Sequence, residues 1–390
     1  MAYVSLMGYD VEHYSSKLVY ENLFPEIQHI NGKGVTDKYT PTKDVEKVTL
    51  IDVMRILPYA PRFRKLGGTN NGAWHNGQNT GYNNAPQSEH YTIPVDLIYD
   101  EGVAVTKTIA DSNPVDLKTI VLTQIVKAAA LSINVITFAK QIEGYFRDSF
   151  TSTGATAGEL AEAVFAGDST YAAPTAGSYA DAFIAANSEL TKGIPTLGAF
   201  IVPMEERQAF VTPEFDRVVK RQYMNNASEA ATKILATGFI NPFTNAEGTR
   251  IDVRTGLLGL YDGVGLFMFN NVVKRFTLVA LGLDPDNDST GAVALLDKIR
   301  AIVVYANGTV RGIVGPSVEA NPNPYYGGVY ILPKLKVGVE VLDGHSIKMV
   351  VDGGWTTTNV DTITANIAFT PIDGTVVKGP STGFNDGTTN

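Results

Sequence analysis

Residues 111–146 read DSNPVDLKTIVLTQIVKAAALSINVITFAKQIEGYF. The stretch opens with a helix start: a capping Asp or Asn, Pro114 in the first turn, and Asp116 at the positive end of the helix dipole. From Pro114 the pattern predicts a helix to Phe146, roughly 30 residues and so ~45 Å long. Asp116, Thr123, Lys127, Asn134 and Gln141 fall on one narrow stripe at helical spacing, and most of the remainder is Ile, Val, Leu, Ala and Phe. A helix apolar over most of its circumference is buried on several sides, within its own subunit or shared with a neighbour. Lys127 and Lys140 bracket only twelve uncharged residues, too few to span a bilayer.

Upstream, VTLIDVMRIL (48–57) is strand-like, as are HYTIPVDLIY (90–99) and GVAVTKTI (102–109), with a turn at Asp100–Gly102. Between the first two lies a long segment without a core. Five glycines and six asparagines fall between Gly67 and Asn84, a composition that buries too little apolar surface to fold alone. The expectation is a two-stranded projection carrying a functional loop. Near its start Arg62, Arg64 and Lys65 form the one dense basic cluster, with Phe63, Trp74 and Tyr82 nearby. In an acidic chain this patch suits a charge-complementary protein contact better than nucleic acid. Residues 1–47 carry mixed charges and scattered tyrosines without periodicity, and read as an extended arm. Asp10 and Glu12 interrupt any apolar run near the start, so a soluble chain without a cleaved signal is expected.

Downstream, 149–178 is a small-residue linker and Tyr179–Thr191 is helical. Gly198–Val202 reads as a strand. Pro203 opens a helix, with Glu205 and Glu206 in its first turn, ending near Phe210. Pro213 opens another helix. Gly256–Val273 reads as strands punctuated by glycines, and 283–291 as an acidic loop. Asn307-Gly308 between Ala301–Tyr305 and Val310–Val314 is a hairpin signal. Val329–Leu342 and Ser346–Val351 form a final strand pair hinged at Asp343-Gly344. Residues 353–390 are Thr/Gly-rich with few anchors and read as a tail. This order gives an α+β fold, not alternating βαβ winding.

Chemistry is scarce. The chain has no cysteine, which removes disulfides, thiolate metal sites and thiol nucleophiles. A formal net charge of -9 argues against a nucleic-acid reader driven by phosphate contacts. No phosphate-binding, dinucleotide, nucleophile-elbow or zinc-protease motif is present. His75 and His90 flank the Asn/Gly segment but supply too few ligands for a metal. Asp284, Asp286 and Asp288 begin like a calcium loop. Ser289 then stands at the turn glycine and Leu295 at the bidentate carboxylate, so a solvated acidic loop is the better reading. Glu205-Glu206 complements a helix dipole more simply than it makes a catalytic pair. No catalytic, cofactor-binding or metal-binding residue is expected, and no enzyme activity or cofactor.

The order of parts carries more than any motif. An arm is followed by the 48–109 projection, the proline-capped helix, and a second helix. Next come AFIVPMEERQAF (199–210), then GLLGLYDG (256–263) running into LFMFN (266–270), and the closing strands. This order resembles the major capsid proteins of tailed bacteriophages, the Hong Kong 97-type fold, over roughly 48–352. Ile201–Phe210 resembles that family's apolar strand leading through proline into an acidic, aromatic helix. Gly256–Asn270 resembles its glycine-punctuated strand ending at Asn.

The resemblance implies an N-terminal arm at 1–47 and an extended loop at 48–113. A peripheral domain at 114–196 would hold the spine helix 114–146, with an axial domain at 197–328. Return strands at 329–352 and a C-terminal tail at 353–390 would complete the chain. It implies self-assembly into pentamers and hexamers of an icosahedral or prolate head enclosing double-stranded DNA without sequence-specific binding. Further partners would be a scaffolding protein, a portal and a decoration protein. The place would be the virion, after assembly in the host bacterial cytoplasm, with no membrane contact. Arg62, Arg64, Lys65, Trp74 and Tyr82 would then be inter-subunit contacts. No charged helical prefix resembles a removable scaffolding segment, and no residue matches a specific Lys–Asn crosslink site.

Two other readings remain. One is a nanocompartment (encapsulin-like) shell of the same fold, although such shells tend to be shorter. The other is a carboxylate-dependent hydrolase with the Asn/Gly segment as a lid, which lacks a recognisable nucleophile–base pair.

Overall fold

The computed structural model describes residues 12–13, 36–40, 48–56, 88–99, 103–105, 117–150, 178–191, 207–218, 257–305, 308–323, 328–353 and 355–370. In chain order the strands are β1 (Glu12–His13), β2 (Thr36–Thr40), β3 (Leu50–Ile56), β4 (Ser88–Pro94), β5 (Leu97–Tyr99) and β6 (Val103–Val105). Helices α1 (Leu117–Phe150) and α2 (Ser178–Thr191) follow. Then come β7 (Arg207–Val211), β8 (Leu257–Tyr261), β9 (Val264–Met268), α3 (Asn271–Ala280) and α4 (Ala292–Leu296). The chain continues through β10 (Ile299–Tyr305), β11 (Thr309–Asn323), β12 (Gly328–Val341), β13 (Ile347–Val351) and α5 (Thr357–Asn366). The α+β reading stands.

Helix α1 forms where the proline-capped run predicts it and extends past Phe146 to Phe150. It braces two sheets. Its earlier described turns place Ala129, Ala130 and Ile133 against Ile313, Leu335, Val337 and Val339. Its later turns place Phe138, Ile142, Tyr145 and Phe146 in a second core with Phe210, Phe267, Ile302 and Met349. Phe138 meets Phe210 edge-on at 5.1 Å and Phe269 at 4.4 Å. Each such buried phenylalanine contributes roughly 1.5–3 kcal/mol relative to exposure. The predicted polar stripe is not the solvent face: Asn134 and Gln141 are both buried. Lys140 and Glu143 take the half-exposed side and pair at 3.1 Å.

The five-stranded sheet runs β13-β10-β7-β9-β8. Its residues alternate between two helical layers. Ala209, Val211, Leu266, Ala301, Val303 and Val350 join Phe183, Ala186 and Leu190 of α2. Phe210, Phe267, Ile302, Val304 and Met349 join α1, α3 and α5 on the opposite face. Strand β7 overturns the expected helix at 203–210, and Glu205 and Glu206 lie outside the described residues. Arg207–Val211 is held antiparallel to β10 and parallel to β9. A strand central in a sheet is buried on both faces, so it shows no simple alternation to read. Residues 213–218 are helical, as Pro213 predicts.

The six-stranded sheet is built on the long antiparallel pair β11–β12, from Thr309↔Val341 to Asn323↔Gly328. Strand β2 pairs in parallel with β11 over Val310–Val314, and β1 pairs with it near Glu319. The described pieces of the expected arm therefore lie on their own chain's sheet. Strands β5 and β6 pair with β12.

The hairpin expected at Asn307-Gly308 does not form. Strand β10 stays in the five-stranded sheet while β11 belongs to the six-stranded one. The final strand pair separates in the same way, with β12 in one sheet and β13 in the other. The chain thus changes sheets between β10 and β11, and again between β12 and β13. The two crossings meet, with the Leu342 amide donating to the Gly308 carbonyl at 2.9 Å. The two sheets therefore exchange chain at these crossings. At the second crossing Asp343 caps a short turn at Gly344–Ser346 by accepting from the His345 amide.

Within the expected tail at 353–390, residues 355–370 are anchored on the core. Trp355, Val360 and Ile363 are buried in the α1 core, and the Trp355 indole lies 5.4 Å from the Phe146 ring. The Ala368 and Thr370 amides donate to the carbonyls of Leu281 and Ala280, strapping the segment over the end of α3. Among the described residues no helix is long and apolar enough to cross a membrane.

Candidate assembly site

The residues expected to make contacts between subunits, Arg62, Arg64, Lys65, Trp74 and Tyr82, lie outside the described residues, as does His75. The described structure supplies the root from which that segment departs. Strands β3 and β4 pair antiparallel from Leu50↔Pro94 to Ile56↔Ser88, in keeping with the expected two-stranded projection. Among the described residues they form a two-stranded sheet of their own. The Val95 amide extends the ladder at its base by donating to the Thr49 carbonyl at 2.9 Å.

Period-two alternation gives this ribbon one dry face. Val53 and Ile93 are buried with Val310, and Ile51, Tyr91 and Leu342 pack around them. Leu50, Asp52, His90, Thr92 and Pro94 face outward, with Leu50 57% exposed. An isolated two-stranded hairpin is marginal in water, so burial on the six-stranded sheet is what holds it.

The close approach has a specific origin. Gly312 and Gly338 are directly opposite one another in the β11–β12 ladder. A Cβ on Gly312 would overlap the Ile51 Cδ1 methyl, and one on Gly338 would overlap the Pro94 carbonyl oxygen and lie 3.1 Å from Val95 Cα. Only glycine lets the ribbon lie this low on the sheet. Lys336, buried in β12, reaches the Val48 carbonyl at 3.5 Å beside the same seat.

Charged groups elsewhere hold elements together. Asp148 Oδ2 accepts from the Gly344 amide at 2.7 Å, tying the end of α1 to the second crossing between sheets. Arg147 bonds Asp148 and donates to the Val341 carbonyl at 2.9 Å. The hydrogen bond Arg147 donates to Asp148, together with the charges of Asp148 and Glu340, raises the Arg147 pKa despite partial burial. Buried Arg207 donates to Asn187 Oδ1 at 2.6 Å, and Asn187 Nδ2 donates to Asp262 Oδ2 at 2.7 Å. This chain joins β7, α2 and the β8–β9 turn. Burial lowers the Arg207 pKa, partly offset by Asp262.

The acidic loop at 283–291 is a helix cap. Asp288 accepts from the amides of Ala294 and Val293 at 2.9 and 3.3 Å. These bonds, that from Ala294 foremost, lower its pKa. Asp286 pairs with Arg275. Among the described residues no cluster of three or more His, Asp or Glu side chains could hold a metal. The sequence reading missed the glycine seat. Its signal was two glycines inside otherwise β-branched strands, a pattern of close backbone approach.

No family model and no curated protein matches the sequence. Among solved structures, the capsid of Ralstonia phage GP4 is similar over 92% of this chain and 96% of that one, at 13% identity and a TM-score of 0.47. A second is the capsid of the cyanophage P-SCSP1u, similar over 81% of this chain and 86% of that one, at 13% identity and a TM-score of 0.45. A virus-like particle from Pyrococcus furiosus is similar over 86% of this chain and 98% of that one, at 8% identity and a TM-score of 0.40.

Proposed function

We propose that this chain is a shell-forming major capsid protein that assembles into the pentamers and hexamers of a phage head enclosing double-stranded DNA. Its role is structural, not enzymatic. The observation that carries the reading is the β3–β4 ribbon: two strands with no third partner among the described residues, dry on one face only, leading into the Gly/Asn-rich segment. A shell subunit needs extensions that gain burial and backbone pairing from the next copy. The rigid counterpart is α1, whose middle turns pack on one sheet and whose later turns pack on the other.

In this reading Arg62, Arg64, Lys65, Trp74 and Tyr82 contact a neighbouring subunit. A scaffolding protein, a portal and a decoration protein are its other partners. Assembly takes place in the bacterial cytoplasm and the product is the virion shell. The acidic balance suits a container, since a weakly repulsive lining leaves packaged DNA mobile.

The test compares the full chain with a deletion of Gly67–Asn84, each co-expressed with the scaffold and sized by sedimentation. The full chain is expected to give closed shells and the deletion folded, unassembled subunits. Full-length protein that stays monomeric beside its scaffold, or a deletion that assembles as well as the full chain, overturns the proposal.

A further inference from the structure

We infer that the Gly312–Gly338 pair sets the direction in which the projecting ribbon leaves the subunit, so that these two glycines are positioning residues for its contact with a second copy of this chain. The inference rests on the shell reading. The two glycines face each other across one rung of the β11–β12 ladder. One receives a side chain of β3 and the other the backbone at the end of β4. Two contacts, one from each side of the ribbon root, fix a line across the sheet. The bond from Val95 to Thr49 and the reach of Lys336 to Val48 hold the root on it. Residues 57–87 connect β3 to β4, so on the shell reading a tilt at the root would carry to whatever contact they make, while the subunit core is unchanged.

The two positions differ in a way that makes the inference testable. At Gly312 the obstacle is Ile51 Cδ1, the end of a side chain, and the next atoms stand at 3.5 and 3.6 Å. Removing that methyl makes room for an alanine. At Gly338 the obstacle is backbone, so no side-chain truncation relieves it.

The experiment measures shell yield with co-expressed scaffold for Gly338→Ala, Gly312→Ala, Ile51→Val and the double variant Gly312→Ala/Ile51→Val. Both glycine variants should lose at least tenfold in shell yield while the unassembled subunits keep wild-type circular dichroism. Ile51→Val should assemble within about twofold of wild type, and the double variant should recover to that level. The chain has no cysteine, so spin labels at Leu50→Cys and Val272→Cys, both exposed sites, report ribbon against body. Their separation in unassembled subunits should shift or broaden in Gly338→Ala and in Gly312→Ala, and should match wild type in the Gly312→Ala/Ile51→Val double variant.

Wild-type label distances in both glycine variants, or a double variant no better than Gly312→Ala, would overturn the inference. If Gly338→Ala does not fold, the Gly312 and Ile51 pair decides alone. Absence of shells from the unaltered chain counts against the shell reading instead, and the label distances still test the seat.

Discussion

Replacing Trp355 with alanine tests whether the segment after residue 353 belongs to the core. Trp355 is 2% exposed, lies against Phe146 at 5.4 Å, and donates from Nε1 to the Leu295 carbonyl at 3.3 Å. Truncating a buried tryptophan costs about 3–5 kcal/mol, cavity included. Phenylalanine would keep most of the ring contact and lose mainly the hydrogen bond, worth about 1 kcal/mol. Against a total stability of roughly 5–15 kcal/mol, the alanine cost is a large fraction. With a urea slope of about 3 kcal/mol per molar, the midpoint should fall by roughly 1 M or more. The assay is urea unfolding of unassembled subunits followed by circular dichroism. In a Trp74→Phe background Trp355 becomes the sole indole, and its emission should be blue-shifted in the folded state. An unchanged midpoint for Trp355→Ala, or solvent-like emission from the single-tryptophan protein, would refute the packing described here.

Three further outcomes follow from the charged groups. Asp148→Ala should destabilise by about 1–3 kcal/mol by leaving the Gly344 amide without its acceptor, and Asp148→Asn, which keeps an acceptor oxygen, should cost less; equal losses in thermal unfolding would contradict this. Arg207→Ala should cost about 1.5–3 kcal/mol because it strips a charged donor from buried Asn187, and amide exchange in the β8–β9 turn should quicken. For Asp288 the folded pKa lies below its ordinary value of 3.8, so its contribution is fully present above that value and fades as pH falls through the folded pKa. Asp288→Asn should flatten that part of the acid unfolding curve, and an unaltered curve would count against the cap.

Local signals predicted what local chemistry decides. The β3 strand followed from β-branched content and α1 from its proline-capped start and helical spacing. Two misreadings share a cause: the deciding partners are distant in sequence. Arg207–Val211 looked like the continuation of a proline-started helix, but its partners are Ala301–Tyr305 and Gln208's neighbour Gly265. Asn307-Gly308 has hairpin chemistry, yet the strands beside it find better partners at 347–351 and 328–341.

Helix α5, TTNVDTITAN, is poor in strong helix formers. It forms because Thr356 caps it, Thr362 and Thr364 bond carbonyls one turn back, and Val360 and Ile363 bury one face. Helix α3 was missed, since Gly256–Val273 reads as strands: Asn270 caps it by accepting from the Val273 amide, and Val273, Thr277, Leu278 and Ala280 turn inward. Residues 62–82, outside the described residues, were legible only as a composition and a charge cluster.

The most direct test is electron cryomicroscopy of the full chain co-expressed with its scaffold. The account predicts closed shells of pentamers and hexamers, with density for the β3–β4 ribbon leaving each subunit over Gly312 and Gly338 and ending on the next copy. Particles in which the ribbon returns to its own subunit, or a chain that never assembles, would contradict it.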